Sequence, residues 1–272
     1  MRKSYLSRNG VLFKLYYMFT DSHAHLTSDP VFGELDGILK RAKENKIDKI
    51  FNICIDKISL ERGLELVKKE KWIHNVGATT PHDIEKEGGL YFPLFEEAAK
   101  QGKLVAIGET GLDYYYEHSP KELQKTFLAR YFNLAGECLL PVVIHCRDAF
   151  EDLYAIAQEN FPKGQAVLHC FTGTMKEAEV ALERGWMISF SGILTFKQSE
   201  ELRSIAKEVP LNHILIETDT PYLAPQSMRG KRNEPSFIHE IAQTIANVKG
   251  IPLEEVAKMT SKNAKRFFNL DL

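Results

Sequence analysis

The chain has 272 residues, 44% of them hydrophobic and 26% charged, with 35 basic and 37 acidic side chains and a formal net charge of −2. This supplies apolar residues for a sizeable packed core and excludes a disordered chain and a uniformly basic surface that coats long nucleic acid. It leaves room for a local basic pocket that takes one end of a strand.

The N-terminal stretch MRKSYLSRNGVLFKLYYMF has the basic start of a signal peptide, but Lys14 interrupts its apolar run and no small-residue cleavage site follows. We expect residues 1–18 to be a loose extension and residues 19–272 to form one domain. No stretch is long and apolar enough to span a membrane. The four cysteines, Cys54, Cys138, Cys146 and Cys170, include no C-x-x-C pair, so reduced thiols, a reducing compartment and a cytoplasmic protein are expected.

Short apolar or β-branched runs then recur along the chain: FTDSHAHL (19–26), KIFNICID (49–56), IHNVGATTP (73–81), VAIGETGLD (105–113), PVVIHCRD (141–148), AVLHCFTG (166–173), WMISFSGI (186–193) and ILIETDTPY (214–222). Between them lie helical patterns. In ELDGILKRAKENK, Leu35, Ile38, Leu39 and Ala42 fall on one face. KELQKTFLARYFNLAGE, VALERG and EELRSIAKEV behave similarly, and SFIHEIAQTIANV and LEEVAKMTSKNAKRFF follow the last run. Strands alternating with helices fit a (β/α)8 TIM barrel, with a doubly wound open sheet as the alternative. The polar residues favour the barrel. In nearly every run the His, Glu or Asp comes at the end, and a barrel brings those strand ends to one mouth.

Side chains two apart on a strand share a face, so His23 and His25 can reach one ion. Glu109, His145, His169 and Asp219 end four later runs. Each alone is also explained as a satisfied structural group. Six such residues at one end of a barrel would be costly to bury without a cation. They are too many for one tetrahedral ion and suit two divalent ions that share a carboxylate. Imidazole and carboxylate ligands admit Zn²⁺, Mn²⁺ or, less comfortably, Mg²⁺.

DSHAHL, GETGLDYYY, PVVIHCRDA, LHCFTGT, ETDTPYLAP and RGKRNEP, in this order, closely resemble the signatures of the TatD family of metal-dependent deoxyribonucleases, within the amidohydrolase superfamily. The resemblance implies a metal site at the C-terminal ends of the strands. One ion would be held by His23, His25, Glu109 and Asp219, and a second by Glu109, His145 and His169. Glu109 would bridge, where several related amidohydrolases use a carbamylated lysine. Asp219 would also be the general base toward the attacking water. The activity implied is hydrolysis of DNA phosphodiesters, a 3′→5′ exonuclease or deoxyribonuclease acting on single strands or 3′ ends, with no membrane partner and a monomeric state. The chain departs from the family at its third strand, where G-x-H-P-H is usual. Thr80 replaces the first histidine and His82 remains. Threonine donates a hydrogen bond but carries no proton near neutral pH.

Substrate contacts are expected from His82, from Arg147 and from the basic cluster Arg229, Lys231 and Arg232, with Asn233 capping the next helix. Arg147 is expected either on a phosphate or against a carboxylate. The three tyrosines after Asp113 would stack on bases or pack their own loop. Cys146 and Cys170 should point away from the metal, into the barrel–helix layer. Two other functions share these features: hydrolysis of another ester or amide, such as an aminoacyl ester on tRNA, and a non-catalytic barrel.

Overall fold

The structure, a computed structural model, describes residues 17–270. Most of the expected N-terminal extension lies outside the described residues.

Eight strands follow one another: β1 (Phe19–Ala24), β2 (Ile47–Cys54), β3 (Ile73–Gly77), β4 (Ala106–Asp113), β5 (Val142–Arg147), β6 (Ala166–Leu168), β7 (Met187–Phe190) and β8 (Ile214–Ile216). They form one sheet in sequence order, and every pairing is parallel. The first and last strands meet through a parallel bridge between Ala24 and Thr220. There the amide of His25 donates to Thr220 and that of Asp219 to His23. The expected barrel is therefore present, nearly closed, and its closing seam joins two of the candidate ligand segments.

The helices are α1 (Asp29–Phe32), α2 (Leu35–Glu44), α3 (Lys57–Lys69), α4 (Gly89–Lys100), α5 (Lys121–Cys138), α6 (Phe150–Asn160), α7 (Met175–Glu183), α8 (Glu200–Glu208), α9 (Ile238–Lys249) and α10 (Leu253–Phe267). In α2 the buried residues are Leu35, Ile38, Leu39 and Ala42, the stripe that the periodicity gives. Four helices, α1, α3, α4 and α6, are not among the sequence's helical patterns. In α4, Gly89 opens the helix and Pro93 lies inside it, so helix breakers mask the pattern. In α3, Gly63 sits over a buried polar group. A Cβ there would come within 2.8 Å of Asn75 Oδ1 and Cys54 Sγ.

Inward-facing side chains change character along the barrel. Phe51, Ile53, Val76, Ala106, Val143, Val167, Met187 and Leu215 form an apolar interior with Phe267 and Phe268. Phe268 stacks on Phe51 with ring centroids 3.6 Å apart, so the end of α10 plugs the N-terminal side of the barrel. Continuing each strand by two residues at a time leads from Val143 to His145, from Val167 to His169 and from Leu215 to Glu217 and Asp219. Strand β4 breaks that period. Its pairing with β5 shifts register between Ile107 and Thr110. This bulge lets Ala106 join the interior while Glu109, three residues on, also turns inward.

Candidate metal centre

The six candidate ligands converge at the C-terminal mouth, in two groups that share Glu109. In the first, His23 Nε2 and His25 Nε2 are 3.2 Å apart. They lie 3.5 and 3.6 Å from Glu109 Oε2, and both lie 3.5 Å from Asp219 Oδ1. In the second, His145 Nδ1 and His169 Nε2 are 3.3 Å apart, and stand 3.1 and 3.0 Å from Glu109 Oε1. The His23 and His169 rings are stacked, with centroids 4.1 Å apart, which joins the two groups.

These separations test whether a cation fits. Donors bound at ~2.1 Å around a tetrahedral ion are about 3.4 Å from one another. The donor pairs measured above lie between 3.0 and 3.6 Å apart. Each oxygen of Glu109 faces a different pair of imidazoles. The donor set could therefore hold divalent cations on both sides of one carboxylate.

Behind the ligands stand further carboxylates. Asp113 Oδ2 is 2.8 Å from His145 Nε2, and Glu217 Oε1 is 3.2 Å from His169 Nδ1. Each imidazole of the second group thus has its other nitrogen on an acid, an arrangement that fixes ring orientation and raises ligand basicity. Asp113 is held in turn by the backbone amides of Tyr115 and Tyr116 on its Oδ1. Glu217 accepts from the amide of Cys170. In the first group, His23 Nδ1 is buried without a hydrogen-bond partner among the described residues.

Electrostatics follow the same division. Burial opposes charge on Glu109, but His169 and His145 outweigh it and hold its carboxyl well below the usual range. Burial would likewise lower His169 and His145. Glu109 with Glu217 raises the first well above its usual value, and Asp113 with Glu109 raises the second. His23 shifts the other way, lowered by burial and by His169. Asp113 falls to about 2, because the His145 hydrogen bond and the Tyr116 amide overcome its burial. The centre thus draws positive charge onto its second group, protons in one state and a cation in another.

Other expected residues are placed less uniformly. His82 Nε2 is 3.8 Å from Asp113 Oδ2, and its ring centroid is 5.2 Å from that of His145, so it faces the centre. Thr80 is buried, and its hydroxyl donates to Asp83 at 3.0 Å. Arg147 points from the strand that carries His145, and its guanidinium lies over the rings of Tyr115 and Tyr116, 3.8 and 5.0 Å from their centroids. It pairs with no carboxylate among the described residues, which removes that half of the expectation. Arg229 lies over the Phe196 ring and Lys231 Nζ is 3.8 Å from Met228 Sδ, both exposed and without contact to the six ligands.

Three expectations are corrected, for Arg232, Asn233 and Cys170, and for Tyr114 one of two open alternatives holds. Arg232 is not available to a phosphate, because it donates to Glu34 and to the carbonyl of Pro30. Asn233 does not cap the next helix. It is buried and donates to the carbonyls of Thr218 and Tyr222, fixing the exit of β8. Tyr114 packs its loop and donates to Asp152. Cys146 does pack against the apolar layer, but Cys170 lies past the end of β6 at φ 44°, where its Sγ meets Ser191 Oγ at 3.1 Å.

The sequence argument missed Asp113 and Glu217 as partners of the ligand histidines. Strand period was the available signal: Asp113 is four residues beyond Glu109, and Glu217 two before Asp219. It also missed Gln124. This buried residue of α5 accepts from the amide of Asp113 and donates to the carbonyls of Asp113 and Ser119. The Ser119 hydroxyl donates to the carbonyl of His82. One amide side chain therefore ties the end of β4 to the loop that carries His82.

An eight-stranded parallel barrel with histidines and acids gathered at its C-terminal mouth defines the class as metal-dependent hydrolase. Residues 20–269 match the family described as TatD related DNase, and the chain belongs to that family. It is 36% identical over 255 residues to the uncharacterized metal-dependent hydrolase YabD of Bacillus subtilis, covering 93% of this chain and all of that one. It is 34% identical over 257 residues to a protein of Erwinia tasmaniensis named 3′-5′ ssDNA/RNA exonuclease TatD, covering 92% of this chain and 99% of that one. Among solved structures, the TatD homologue YJJV of Escherichia coli superposes with a TM-score of 0.87 at 25% identity, covering 93% of this chain and 98% of that one.

Proposed function

We propose that this hydrolase cleaves phosphodiester bonds at the 3′ ends of single-stranded DNA, using two divalent ions held by His23, His25, Glu109 and Asp219 and by Glu109, His145 and His169. The observation that carries the proposal is the disposition of Glu109, whose two oxygens each face a separate imidazole pair at 3.0–3.6 Å. When bound, a pair of divalent ions supplies Lewis acidity and a clamp for the attacking and leaving oxygens of an in-line displacement.

The protein's own groups do the rest. Asp219 orients the attacking water and accepts its proton. Arg147, stacked on tyrosines and free of any carboxylate partner among the described residues, offers a flat fork of donors to a phosphate. Arg229 and Lys231 supply positive charge along the backbone. His82, with Nε2 3.8 Å from Asp113 Oδ2, places an imidazole beside the centre. The exonuclease name of the Erwinia relative supports the same substrate class.

The test is cleavage of a 5′-labelled single-stranded oligonucleotide by purified protein with Mg²⁺ or Mn²⁺. A ladder that shortens from the 3′ end, and disappears with chelator and in Asp219→Asn, is the expected result. Metal-loaded protein that leaves DNA intact but hydrolyses carboxylic esters would move the assignment to the ester hydrolases.

A further inference from the structure

Large apolar side chains left in water on an otherwise well-packed protein call for an explanation when they cluster. Three tyrosines do so around the mouth. Tyr115, Tyr116 and Tyr222 are 58%, 52% and 54% exposed, so each keeps open ring surface even where a neighbour covers part of it. They stand against different halves of the centre. The Tyr222 ring meets that of His25 edge-on, with centroids 5.8 Å apart. Tyr116 meets His82 at 5.9 Å, and His82 in turn meets His145. Tyr115 and Tyr116 are also stiffened by their neighbours. Tyr116 lies parallel to His118 at 4°, and Arg147 covers a face of Tyr115.

Resting on the nuclease assignment above, we propose that these rings are two nucleobase platforms, one on each side of the scissile phosphate. Tyr222 takes the base beside the His23–His25 half. Tyr115 and Tyr116 take the base beside the His145–His169 half. Stacking on a tyrosine face needs no particular base, because every base has a π-face, so cleavage is insensitive to sequence yet requires a base on both sides of the bond. Bases in a duplex are already stacked on their neighbours. The platforms therefore select single strands and frayed ends, and a bare sugar-phosphate is a poor substrate.

The experiment uses 5′-labelled single-stranded oligonucleotides with a tetrahydrofuran abasic residue at the last or the penultimate position, so that one side or the other of the terminal linkage lacks its base. Wild type is compared with Tyr222→Ala and with the double variant Tyr115→Ala/Tyr116→Ala. Each missing base lowers kcat/KM by roughly tenfold to a hundredfold, and so does each variant on intact DNA. A variant combined with the abasic residue on its own side loses little more, whereas opposite sides multiply. Tyr222→Phe, which keeps the ring, restores the wild-type rate. Equal cleavage of intact and abasic strands overturns the platforms and leaves the nuclease standing. Losses that multiply for every combination also overturn them, because the tyrosines then act through loop structure. Failure to cleave any strand overturns both.

Discussion

The two halves of the centre contain the same kinds of ligand and differ in what stands behind them. In one, His145 and His169 each rest on a second carboxylate, Asp113 or Glu217. In the other, His23 has a buried ring nitrogen that meets no partner among the described residues. The first arrangement is preorganised and rich in negative charge. The second depends for its charge on Glu109 and Asp219. Under the two-ion proposal, a shared bridge therefore joins a tight position to a looser one, and the looser one is where Asp219 meets the attacking water.

The bridge is the place to break both halves at once. Glu109→Gln keeps the shape but removes the charge that each pair of imidazoles faces. We expect kcat/KM to fall by on the order of 10³ or more, with several kcal/mol of charge stabilisation lost. Metal content measured by plasma mass spectrometry should fall at both positions. A variant that kept two ions and its activity would end the bridging role.

The halves should also come apart singly. Asp113→Asn still accepts the Tyr115 and Tyr116 amides through Oδ1 but withdraws the acid from His145. We expect a loss of roughly ten- to a hundredfold in affinity for one ion only, and the same for Glu217→Gln. In a competitive chelator titration, wild type should release its ions in two steps and these variants should shift only the later step. A uniform shift of both steps would mean that the halves are not distinct.

Protons sharpen the difference further. Without metal, His145 and His169 are raised by the acids around them, so an incoming ion at that half competes with protons. Affinity at that half should rise with pH up to the raised values and then level off. His23 is lowered and offers no proton to displace near neutrality. Calorimetry in buffers of different ionisation enthalpy should therefore show proton release on filling the His145–His169 half and less on filling the other.

How legible this was depends on where each partner lies along the chain. The barrel and all six candidate ligands were readable because every ligand closes an apolar run, and run ends share one mouth. Asp113 and Glu217 were readable only through strand period, once the strand ends were known. Glu109 breaks that period through a bulge after Ile107, whose mark in IGET is Gly108, at φ 149°. Arg229 and Arg232 look alike in RGKR. What separates them is Glu34, 198 residues earlier, which occupies Arg232 alone. Long-range partners of surface charges have no local signature, and neither does the buried amide of Gln124.

Gln124 gives the smallest expected effect and tests the comparison at its root. It touches no ligand, yet it fixes both backbone groups of Asp113, and Asp113 orients His145. Gln124→Leu leaves that amide and two carbonyls without their side-chain partner, at a cost of about 1–3 kcal/mol in stability. Gln124→Glu retains the acceptor for the Asp113 amide and loses both donations. If Asp113 is positioned from α5, both variants should weaken the His145–His169 half by a few-fold. The His23–His25 half should hold its ion as before, and KM should change less than kcat. Equal weakening of the two halves would reduce Gln124 to a general packing residue. The greater rigidity of the His145–His169 half would then have to come from its own carboxylates alone.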